Sequence, residues 1–249
     1  MHICQKSSTF AAAKVMKMVS LLRTALFSIL YPRTCPMCGA YTGEQTERGK
    51  ICDRCLQLLP RTEQDVLREN NTEFAFTKVP HFERGAAFLF FEKDHPIQQL
   101  IHKMKYTDQP LIGYQLGRQA ALEFQYSDFF EGMDVIVPMP LHPKRLRERG
   151  YNQAEYIARG ISEITGIPID TTHVTRIRNT PQQALQDGEE RKTNVANAFA
   201  VNHPEEMRHK HILVVDDLIT TGETMRSCLA AMKRFRGATF SVFALCKAR

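Results

Sequence analysis

Residues 211–237 constrain the fold of this chain most strongly. An apolar run passes there directly into acidic and hydroxyl residues and then into a helical pattern. HILVVDD (211–217) is typical of a buried strand, and GETMRSCLAAMKRFRG (222–237) carries apolar residues at helical spacing. Similar strand patterns occur at 85–92, 133–140 and 238–248, with helical patterns at 95–106, 110–125 and 150–166. Nearly continuous apolar strands alternating with helices predict an α/β fold, a mostly parallel sheet flanked by helices.

The composition fits a soluble globular protein with a substantial core. Of the 249 residues, 43% are hydrophobic and 24% are charged, which excludes disordered and collagen-like classes. The length allows one ordinary domain together with a small one. A net charge of +6 permits a polyanionic partner without requiring one.

The N-terminal segment, residues 1–31, is predicted to be an extension followed by an amphipathic helix. Its longest uncharged run, residues 24–32, is too short to cross a bilayer, and no small-residue cleavage site follows it. Apolar residues at 21, 22, 25, 26, 29 and 30 have helical spacing. We therefore expect no membrane span and a cytoplasmic protein.

Four cysteines form two closely spaced pairs with the pattern Cys35-x2-Cys38-x13-Cys52-x2-Cys55. Two such turns can place four thiolates at the corners of a tetrahedron, which is the geometry that zinc prefers. The odd total of seven cysteines favours metal binding in a reducing compartment over a disulfide framework. Because all four ligands are thiolates, we expect a structural Zn²⁺ with no open position for catalysis.

The zinc unit has two roles to consider. It can supply folding energy to a segment too small to build its own core, which we favour. It can also present basic residues to nucleic acid, namely Arg33, Arg48, Lys50 and Arg54. The predicted organisation is an N-terminal extension and helix (1–31), a zinc-ribbon-like domain (32–60), a polar linker (61–80) and the α/β domain (81–249).

The stretch DDLITTGET suggests a ligand. Asp216 and Asp217 end the predicted strand, where parallel α/β sheets bind their ligands. The following loop leads into a helix N-terminus, where backbone N–H groups favour an anion; Gly222 allows close approach, and Thr220, Thr221 and Thr224 add hydroxyls. Adjacent carboxylates need compensation by ligand hydroxyls or a metal. A ribose 5-phosphate derivative carries both the phosphate and the vicinal hydroxyls.

Residues 212–224, ILVVDDLITTGET, resemble the signature of type I phosphoribosyltransferases, which bind phosphoribosyl pyrophosphate. The resemblance implies that Asp216 and Asp217, the candidate catalytic residues, hold the ribose hydroxyls. It also implies that the 5′-phosphate lies in the loop Thr220, Thr221, Gly222, Glu223 and Thr224. Glu223 departs from the small residue that is common in the signature, so its carboxylate must point away from a bound phosphate. Mg²⁺ is expected to accompany phosphoribosyl pyrophosphate.

The order of motifs from about residue 20 to the C-terminus is similar to that of the competence protein F (ComF) family. The motifs are CPMC…CDRC, KMKY, VPMPLHPKRLRERGYNQ, RIRNTPQQALQDGEERKTNV and the signature. The family joins a four-cysteine zinc domain to a type I phosphoribosyltransferase fold, and several members are linked to natural transformation. The resemblance implies single-stranded DNA and other DNA-uptake proteins as partners.

Two further segments carry candidate ligand contacts. Lys144, Arg145, Arg147 and Arg149 place four cations where the family's pyrophosphate loop falls, enough for a pyrophosphate or nucleic-acid phosphates; a solvated helix face is the alternative. Residues 176–195 match the position of a loop that closes over the substrate, with Arg178, Thr180 and Gln183 as candidates; an ordinary exposed loop fits equally well. Lys103, Lys105 and Tyr106 are more typical of helix capping than of ligand binding.

Three functional hypotheses remain open from the sequence. The favoured one is a protein that binds phosphoribosyl pyrophosphate and handles incoming single-stranded DNA. The alternative is an active phosphoribosyltransferase of nucleotide metabolism, whose acceptor cannot be named from sequence. A degenerate scaffold with a vestigial phosphate site leaves the intact acid pair unexplained.

Overall fold

The computed structural model describes residues 33–43, 49–64, 70–179 and 198–249. The described strands are β1 (Phe82–Phe91), β2 (Val135–Pro138), β3 (Val174–Arg176), β4 (Phe199–Val201), β5 (His211–Ile219) and β6 (Thr239–Ala248). The described α-helices are α1 (Asp53–Gln57), α2 (Asn71–Phe74), α3 (Ile97–Tyr106), α4 (Leu111–Phe124), α5 (Pro143–Arg149), α6 (Gln153–Thr165) and α7 (Glu223–Met232). A short 3-10 helix covers Pro204–Met207.

The centre of the fold is a four-stranded parallel sheet in the order β1–β6–β5–β2, and β3 and β4 form a separate antiparallel pair. Side chains of β5 alternate between its two faces. Leu213 and Val215 pack with α3, α4 and α6, whereas Ile212 and Val214 pack with α7 and the β3–β4 pair. Because both faces are covered, residues 212–215 are completely buried. This explains why the strand sequence is continuously apolar.

The α/β fold class expected from the sequence is confirmed, and most element boundaries agree within a few residues. Strand β5 runs to Ile219, two residues beyond the predicted end, because Leu218 and Ile219 continue to pair with β6. The two aspartates therefore lie within the last part of the strand. Helix α7 ends at Met232, five residues before the predicted end.

The segment 61–80 is predicted as a linker, and its described residues, 61–64 and 70–80, pack along the outer side of β1. Thr62 N–H donates to the Phe88 carbonyl at 3.1 Å, and Asn70 Nδ2 donates to the Gly85 carbonyl at 2.8 Å. The Gln64 side chain accepts from Ala87 N–H at 2.9 Å. An edge strand leaves backbone groups unpaired, so the polar composition serves hydrogen bonding to that edge. The boundaries of the four predicted domains remain predictions.

The cysteine unit packs directly on the α/β core. Ile51 is fully buried in the same cluster as Leu116 of α4, and its N–H donates to Gln115 Oε1 at 2.8 Å. Lys103 of α3 donates from Nζ to the Pro36 carbonyl at 2.6 Å. The predicted helix in residues 1–31 lies outside the described residues. Within the described ranges, no helix is long and apolar enough to cross a membrane.

Helices α4 and α6 cross at unusually short range through two glycines. A Cβ on Gly160 would lie far inside contact distance of the Tyr114 carbonyl oxygen, and one on Gly117 would meet the Ile157 carbonyl in the same way. Both obstacles are backbone atoms, so a side chain can be accommodated only if the helices move apart. This crossing holds α6, which follows the basic helix α5, against the sheet.

We expect Gly160→Ala to destabilise the protein by about 1–3 kcal/mol, the usual cost of overpacking a core. The matched control is Arg159→Ala on the adjacent residue, which is exposed and loses a surface ion pair with Glu155, worth about 0.5 kcal/mol or less, and a contact over the Tyr156 ring, worth about 0.5 kcal/mol. Urea unfolding of both variants checks this. Equal stability of Gly160→Ala and the wild type would contradict the close crossing.

Candidate functional site

The two adjacent aspartates of β5 point to opposite faces of the sheet. Asp217 forms an ion pair with Lys105 of α3, with 2.8 Å between Oδ1 and Nζ. Both side chains are almost fully buried, at 12% exposure for Lys105 and 6% for Asp217. Asp216 lies on the other face, within the electrostatic range of Arg176 and the buried thiol of Cys228. Because successive side chains of a strand point to opposite faces of the sheet, the two like charges are kept apart while both stay at the same end of β5.

The electrostatics of Asp216 differ from those of an ordinary surface carboxylate. Burial and the negative charge of Asp217 raise the pKa of Asp216 to about 7. The Asp217 N–H, which donates to Asp216 Oδ1 at 2.8 Å, opposes this rise, as do Lys105 and Arg176. Asp216 therefore changes its charge near neutral pH, where a ligand's hydroxyls can compete with a proton.

The loop after β5 has the form of an anion site. Gly222 has φ +77° and forms the N-cap of α7, a conformation that favours glycine. Thr220 and Thr221 are exposed, and Thr224 is partly buried in the first helical turn. The first N–H groups of a helix have no acceptor within the helix and carry the positive end of its dipole.

The Glu223 carboxylate is bound by an arginine of the same helix. Its Oε1 accepts from Arg226 Nη2 at 2.8 Å, and the other arm of that guanidinium donates to the Ala75 carbonyl at 2.9 Å. Arg226 thereby holds the carboxylate and neutralises it. The negative charge of Glu223, which would repel an anion in the loop, is thus compensated by Arg226 of the same helix.

The basic helix α5 begins beside the acid pair. Met139 N–H, in the loop that leads to it, donates to the Val215 carbonyl at 2.7 Å, because β2 and β5 are neighbours. Arg145 and Arg149, one turn apart, line a cavity of about 470 Å³. The other lining residues are Lys105, Tyr106, Asp108, Glu148 and Tyr151. The cavity thus joins three cations to the edge of the sheet that carries the acid pair.

The four predicted cations are divided by the helix. Arg145 and Arg149 are partly buried and face the cavity, and Arg149 also lies over the Tyr106 ring, with 5.2 Å from Cζ to the centroid. Lys144 and Arg147 are exposed and do not line it. Residues three or four apart share one face of a helix, so one helix carries two cations toward the site and two toward solvent.

The residues after α5 mainly build the turn into α6. Gly150 has φ +81°, and Asn152 caps α6 by accepting from Ala154 N–H at 3.1 Å while donating to the Met139 carbonyl at 3.1 Å. Tyr151 lines the cavity, and its hydroxyl donates to the Met104 carbonyl at 2.5 Å. Both ends of the Asn152 amide are therefore used in hydrogen bonds within the protein. Among residues 150–153, Tyr151 lines the cavity and is the residue that could contact a ligand.

The predicted substrate-covering segment follows β3. Arg178 is exposed just beyond that strand, whereas Thr180 and Gln183 lie outside the described residues. Strands β3 and β4 pair antiparallel, so the two ends of the segment between them lie side by side, and Ile177 N–H donates to the Ala198 carbonyl at 2.8 Å. Arg178, Thr180 and Gln183 remain predicted contacts.

The sequence analysis did not place Lys105 or Arg176 beside the acid pair: it interpreted Lys105 as more typical of helix capping and included Arg176 only in the polar segment 176–195. Lys105 follows Ile97 and Ile101 at intervals of four on α3, so a lysine on the apolar face was the available signal for a buried partner. Arg176 follows the buried Val174 at an interval of two on β3, which places it on the inward face. It lies over the Phe199 ring at 5.4 Å and near Asp216.

The four predicted cysteine ligands come together as expected. Their Sγ atoms all lie within 4.8 Å of one another, and Cys38 and Cys52 are 3.8 Å apart. Tetrahedral coordination with Zn–S bonds of about 2.3 Å requires sulfur–sulfur distances of about 3.8 Å. Burial raises the pKa of Cys35, but the N–H groups of Cys52, Cys38 and Met37 outweigh it and lower the pKa to about 7. The cluster can hold a metal ion such as zinc.

The C-terminal part of the chain matches a known domain family, and most of the chain is similar to known proteins of DNA utilization and competence. Residues 148–249 match the family model for the phosphoribosyl transferase domain. The DNA utilization protein YhgH of Escherichia coli K12 is 29% identical over 216 residues, covering 86% of this chain and 83% of that protein. Competence protein F of Haemophilus influenzae is 25% identical over 217 residues, covering 86% and 85%. Competence protein ComFC of Bacillus subtilis is 30% identical over 112 residues, covering 45% and 43%.

These matches confirm both parts of the resemblance seen in the sequence. The phosphoribosyltransferase domain model covers α6, β5, the phosphate-loop candidate, α7 and β6. The matches to YhgH and competence protein F extend over most of the chain. The fold is that of a phosphoribosyltransferase with a cysteine cluster near the N-terminus.

We expect about one tightly bound metal ion per chain, held by the four cysteines. Cys38→Ser should lose the ion and lower the unfolding temperature, because metal binding supplies folding energy to this unit. The control is Cys4→Ser, which changes a cysteine outside the two pairs. Elemental analysis of both purified proteins gives the metal content, and an unchanged metal content in Cys38→Ser would contradict the assignment.

Proposed function

We propose that the chain is a member of the competence protein F family, which it resembles over most of its length, that it binds phosphoribosyl pyrophosphate, and that it acts in the cytoplasm on single-stranded DNA taken up by the cell. The observation that carries the ligand proposal is the convergence at one edge of the sheet. The acid pair, the loop 220–224 and the cations Arg145, Arg149 and Lys105 all lie at the carboxyl ends of β5, β2 and α3. This is where parallel α/β sheets bind ligands.

Each part of the ligand has a matching group. The 5′-phosphate would lie in the loop 220–224, where Gly222 and the N-terminus of α7 favour an anion. Asp216 and Asp217 would accept hydrogen bonds from the ribose hydroxyls. Arg145 and Arg149 would bind the pyrophosphate, to which guanidinium groups bind in a bidentate manner. Lys144 and Arg147, on the solvent side, take no part in this site.

The chain carries suitable ligand groups for both proposed metal ions, Zn²⁺ and Mg²⁺. The four thiolates would hold Zn²⁺ in a structural role, since they leave no open coordination position. Asp108 and Glu148 line the cavity together with Arg145 and Arg149, and their carboxylates are hard ligands that would hold Mg²⁺ together with the pyrophosphate. When bound, Mg²⁺ supplies neutralisation of the phosphate charge.

The role in DNA handling is supported by the relatives, which are named as DNA utilization and competence proteins. The structure supplies a matching surface. Lys144 and Arg147 are exposed on the side of α5 away from the cavity, and Leu146 and Tyr106 are exposed beside them and at the cavity mouth. Cations that follow a phosphate backbone, together with exposed aromatic residues that stack on bases, are the means by which proteins bind single strands. Other DNA-uptake proteins are proposed partners on the same grounds.

One observation also favours turnover as a second candidate function. A cavity of about 630 Å³ adjoins the site beyond Lys105 and Tyr106, with Phe91, Ile101 and Leu218 among its apolar lining. Such a cavity offers room for an acceptor next to the ribose position. The chain would then be an active phosphoribosyltransferase, in which pyrophosphate leaves the ribose carbon as the acceptor bonds to it.

We expect phosphoribosyl pyrophosphate with Mg²⁺ to raise the unfolding temperature saturably. At a concentration of 100 times Kd the stabilisation is about 2.7 kcal/mol, which for a chain of this size corresponds to about 5–10 °C. Asp216→Asn with Asp217→Asn should abolish the shift, because each side chain loses its negative charge and exchanges one acceptor oxygen for a donor NH₂ group. Thermal unfolding across a ligand titration measures this, with ribose 5-phosphate as a control ligand.

A matched pair of variants tests the placement of the pyrophosphate. Arg145→Gln with Arg149→Gln and Lys144→Gln with Arg147→Gln remove the same charge from the same helix. The first pair should weaken phosphoribosyl pyrophosphate binding by at least about tenfold, since two hydrogen bonds to charged groups are lost. The second pair should leave it within about twofold. Equal losses would contradict the cavity assignment, and absence of any wild-type shift at millimolar ligand would overturn the ligand proposal.

We expect single-stranded DNA to bind with steep salt dependence, and Lys144→Gln with Arg147→Gln to reduce the slope of log K against log salt by up to about 1.4, at about 0.7 per phosphate contact. Asp216→Asn with Asp217→Asn should keep DNA affinity. Fluorescence anisotropy of a labelled oligonucleotide at several salt concentrations measures both effects. Binding that is insensitive to salt and to the α5 variant would remove this surface from the DNA role.

A further inference from the structure

We propose that Lys105 is a positioning residue of the ligand site: it anchors one oxygen of Asp217 so that the other accepts a ligand hydroxyl. The inference rests on the proposed binding of phosphoribosyl pyrophosphate. Lys105 belongs to α3, outside the matched domain of residues 148–249 and outside the signature of residues 212–224. Its role follows from the contacts of its ammonium group.

The first support is the geometry of the ion pair. Lys105 Nζ lies 2.8 Å from Asp217 Oδ1, and little of either side chain is exposed. Burial lowers the pKa of Lys105, but the charges of Asp217 and Asp216 outweigh it and raise the pKa, so the ammonium stays charged. A charged hydrogen bond in a buried setting holds its partner in one orientation. The ion pair therefore fixes the orientation of the Asp217 carboxylate, and with it the direction of its second oxygen.

The second support is the other oxygen of Asp217. Oδ2 is buried and has no hydrogen bond to any residue of the described ranges. An ionised carboxylate oxygen can only accept, and leaving such an acceptor unsatisfied costs about 1–3 kcal/mol or more. A ligand hydroxyl that displaces the side chains covering Oδ2 would satisfy it. The site thus holds an acceptor whose direction is fixed by Lys105 through Oδ1.

The third support is the position of Lys105 between the two halves of the site. It lines the same cavity as Arg145 and Arg149, and its charge is felt by Asp216 as well as by Asp217. An ammonium group has three donors, of which Asp217 Oδ1 uses one. The remaining charge faces the cavity in which the pyrophosphate is proposed to bind. One lysine therefore orients the hydroxyl acceptor and adds positive charge for the anion.

A purely structural role makes different predictions. A buried ion pair could simply tie α3 to β5, and its loss would then lower stability without altering the ligand's pH dependence. If Lys105 positions the site, its loss also changes the charge around Asp216. The charged or titratable groups that act on Asp216 are Arg176 on β3 and Cys228 on α7, and, from the opposite face of the sheet, Asp217 on β5 and Lys105 on α3. Lys105 lowers the pKa of Asp216, so its removal must raise that pKa above about 7.

The sign of the pH effect is fixed by the ligand. Ribose hydroxyls donate to the ionised form of Asp216, so binding favours the carboxylate and affinity rises as pH increases through about 7. Without Lys105, a higher pH is needed to ionise Asp216. The midpoint of the affinity–pH curve should therefore move upward in a variant that lacks the charge and stay in place in one that keeps it.

The test is calorimetric titration of the metal-loaded protein with phosphoribosyl pyrophosphate and Mg²⁺ between pH 6 and 8.5. Lys105→Gln should bind at least about tenfold more weakly, as expected for a lost charged hydrogen bond, with the midpoint shifted upward. Lys105→Arg should restore the midpoint and most of the affinity. Lys103→Gln is the matched control on the same helix, because its ammonium donates to the Pro36 carbonyl instead.

The outcomes separate the two proposals. No binding by the wild type would overturn the proposed function and the role of Lys105 with it. Wild-type binding that Lys105→Gln leaves unchanged in affinity and midpoint would overturn only the role of Lys105. If Lys105→Gln does not fold, Lys105→Gln with Asp217→Asn removes the unpaired buried charge. Because the loss of Asp217 weakens binding by itself, this variant is compared with Asp217→Asn alone: it should show a higher pH midpoint, and equal midpoints and affinities in the two would equally overturn the inference.

Discussion

Two adjacent carboxylates lie near the end of β5, a strand that is buried on both faces of the sheet, and the structure around them compensates that charge. Strand alternation sends Asp217 toward α3, where Lys105 pairs with it, and Asp216 toward β3, where Arg176 lies. Uncompensated, such a pair would cost several kcal/mol through desolvation and repulsion. The positions of α3, β3 and the basic helix α5 are thus all linked to the charge at one end of β5.

The N-terminal part of the chain supports this arrangement. Residues 60–62 and the side chains of Gln64, Asn70 and Glu73 satisfy the free edge of β1. The cysteine unit packs into the same core as α3 and α4, with Lys103 bonded to its first turn. A metal held by the cysteines would therefore stabilise the helix that carries Lys105, and the zinc unit and the ligand site are physically connected through α3.

Much of the fold could be predicted, because continuous apolar strands and helical periodicity follow directly from burial. The cysteine cluster and the acid pair could also be recognised in the sequence, since each depends on residue types at fixed spacing. The hydrogen bonding of residues 61–64 and 70–80 to the edge of β1 could not be predicted, because hydrogen bonding to a sheet edge and solvation select the same polar residues. Lys105 and Arg176 were missed because their partner, the acid pair, is more than 35 residues away along the chain, and local patterns show only that a charge lies on an inward face.

A crystal structure of the protein with phosphoribosyl pyrophosphate and Mg²⁺ tests the central claim most directly. The account predicts the 5′-phosphate in the loop 220–224, the ribose hydroxyls on Asp216 and Asp217 Oδ2, and the pyrophosphate against Arg145, Arg149 and Lys105. A ligand bound elsewhere, or one whose ribose leaves Asp217 Oδ2 without a donor while Lys105 remains in place, would contradict it.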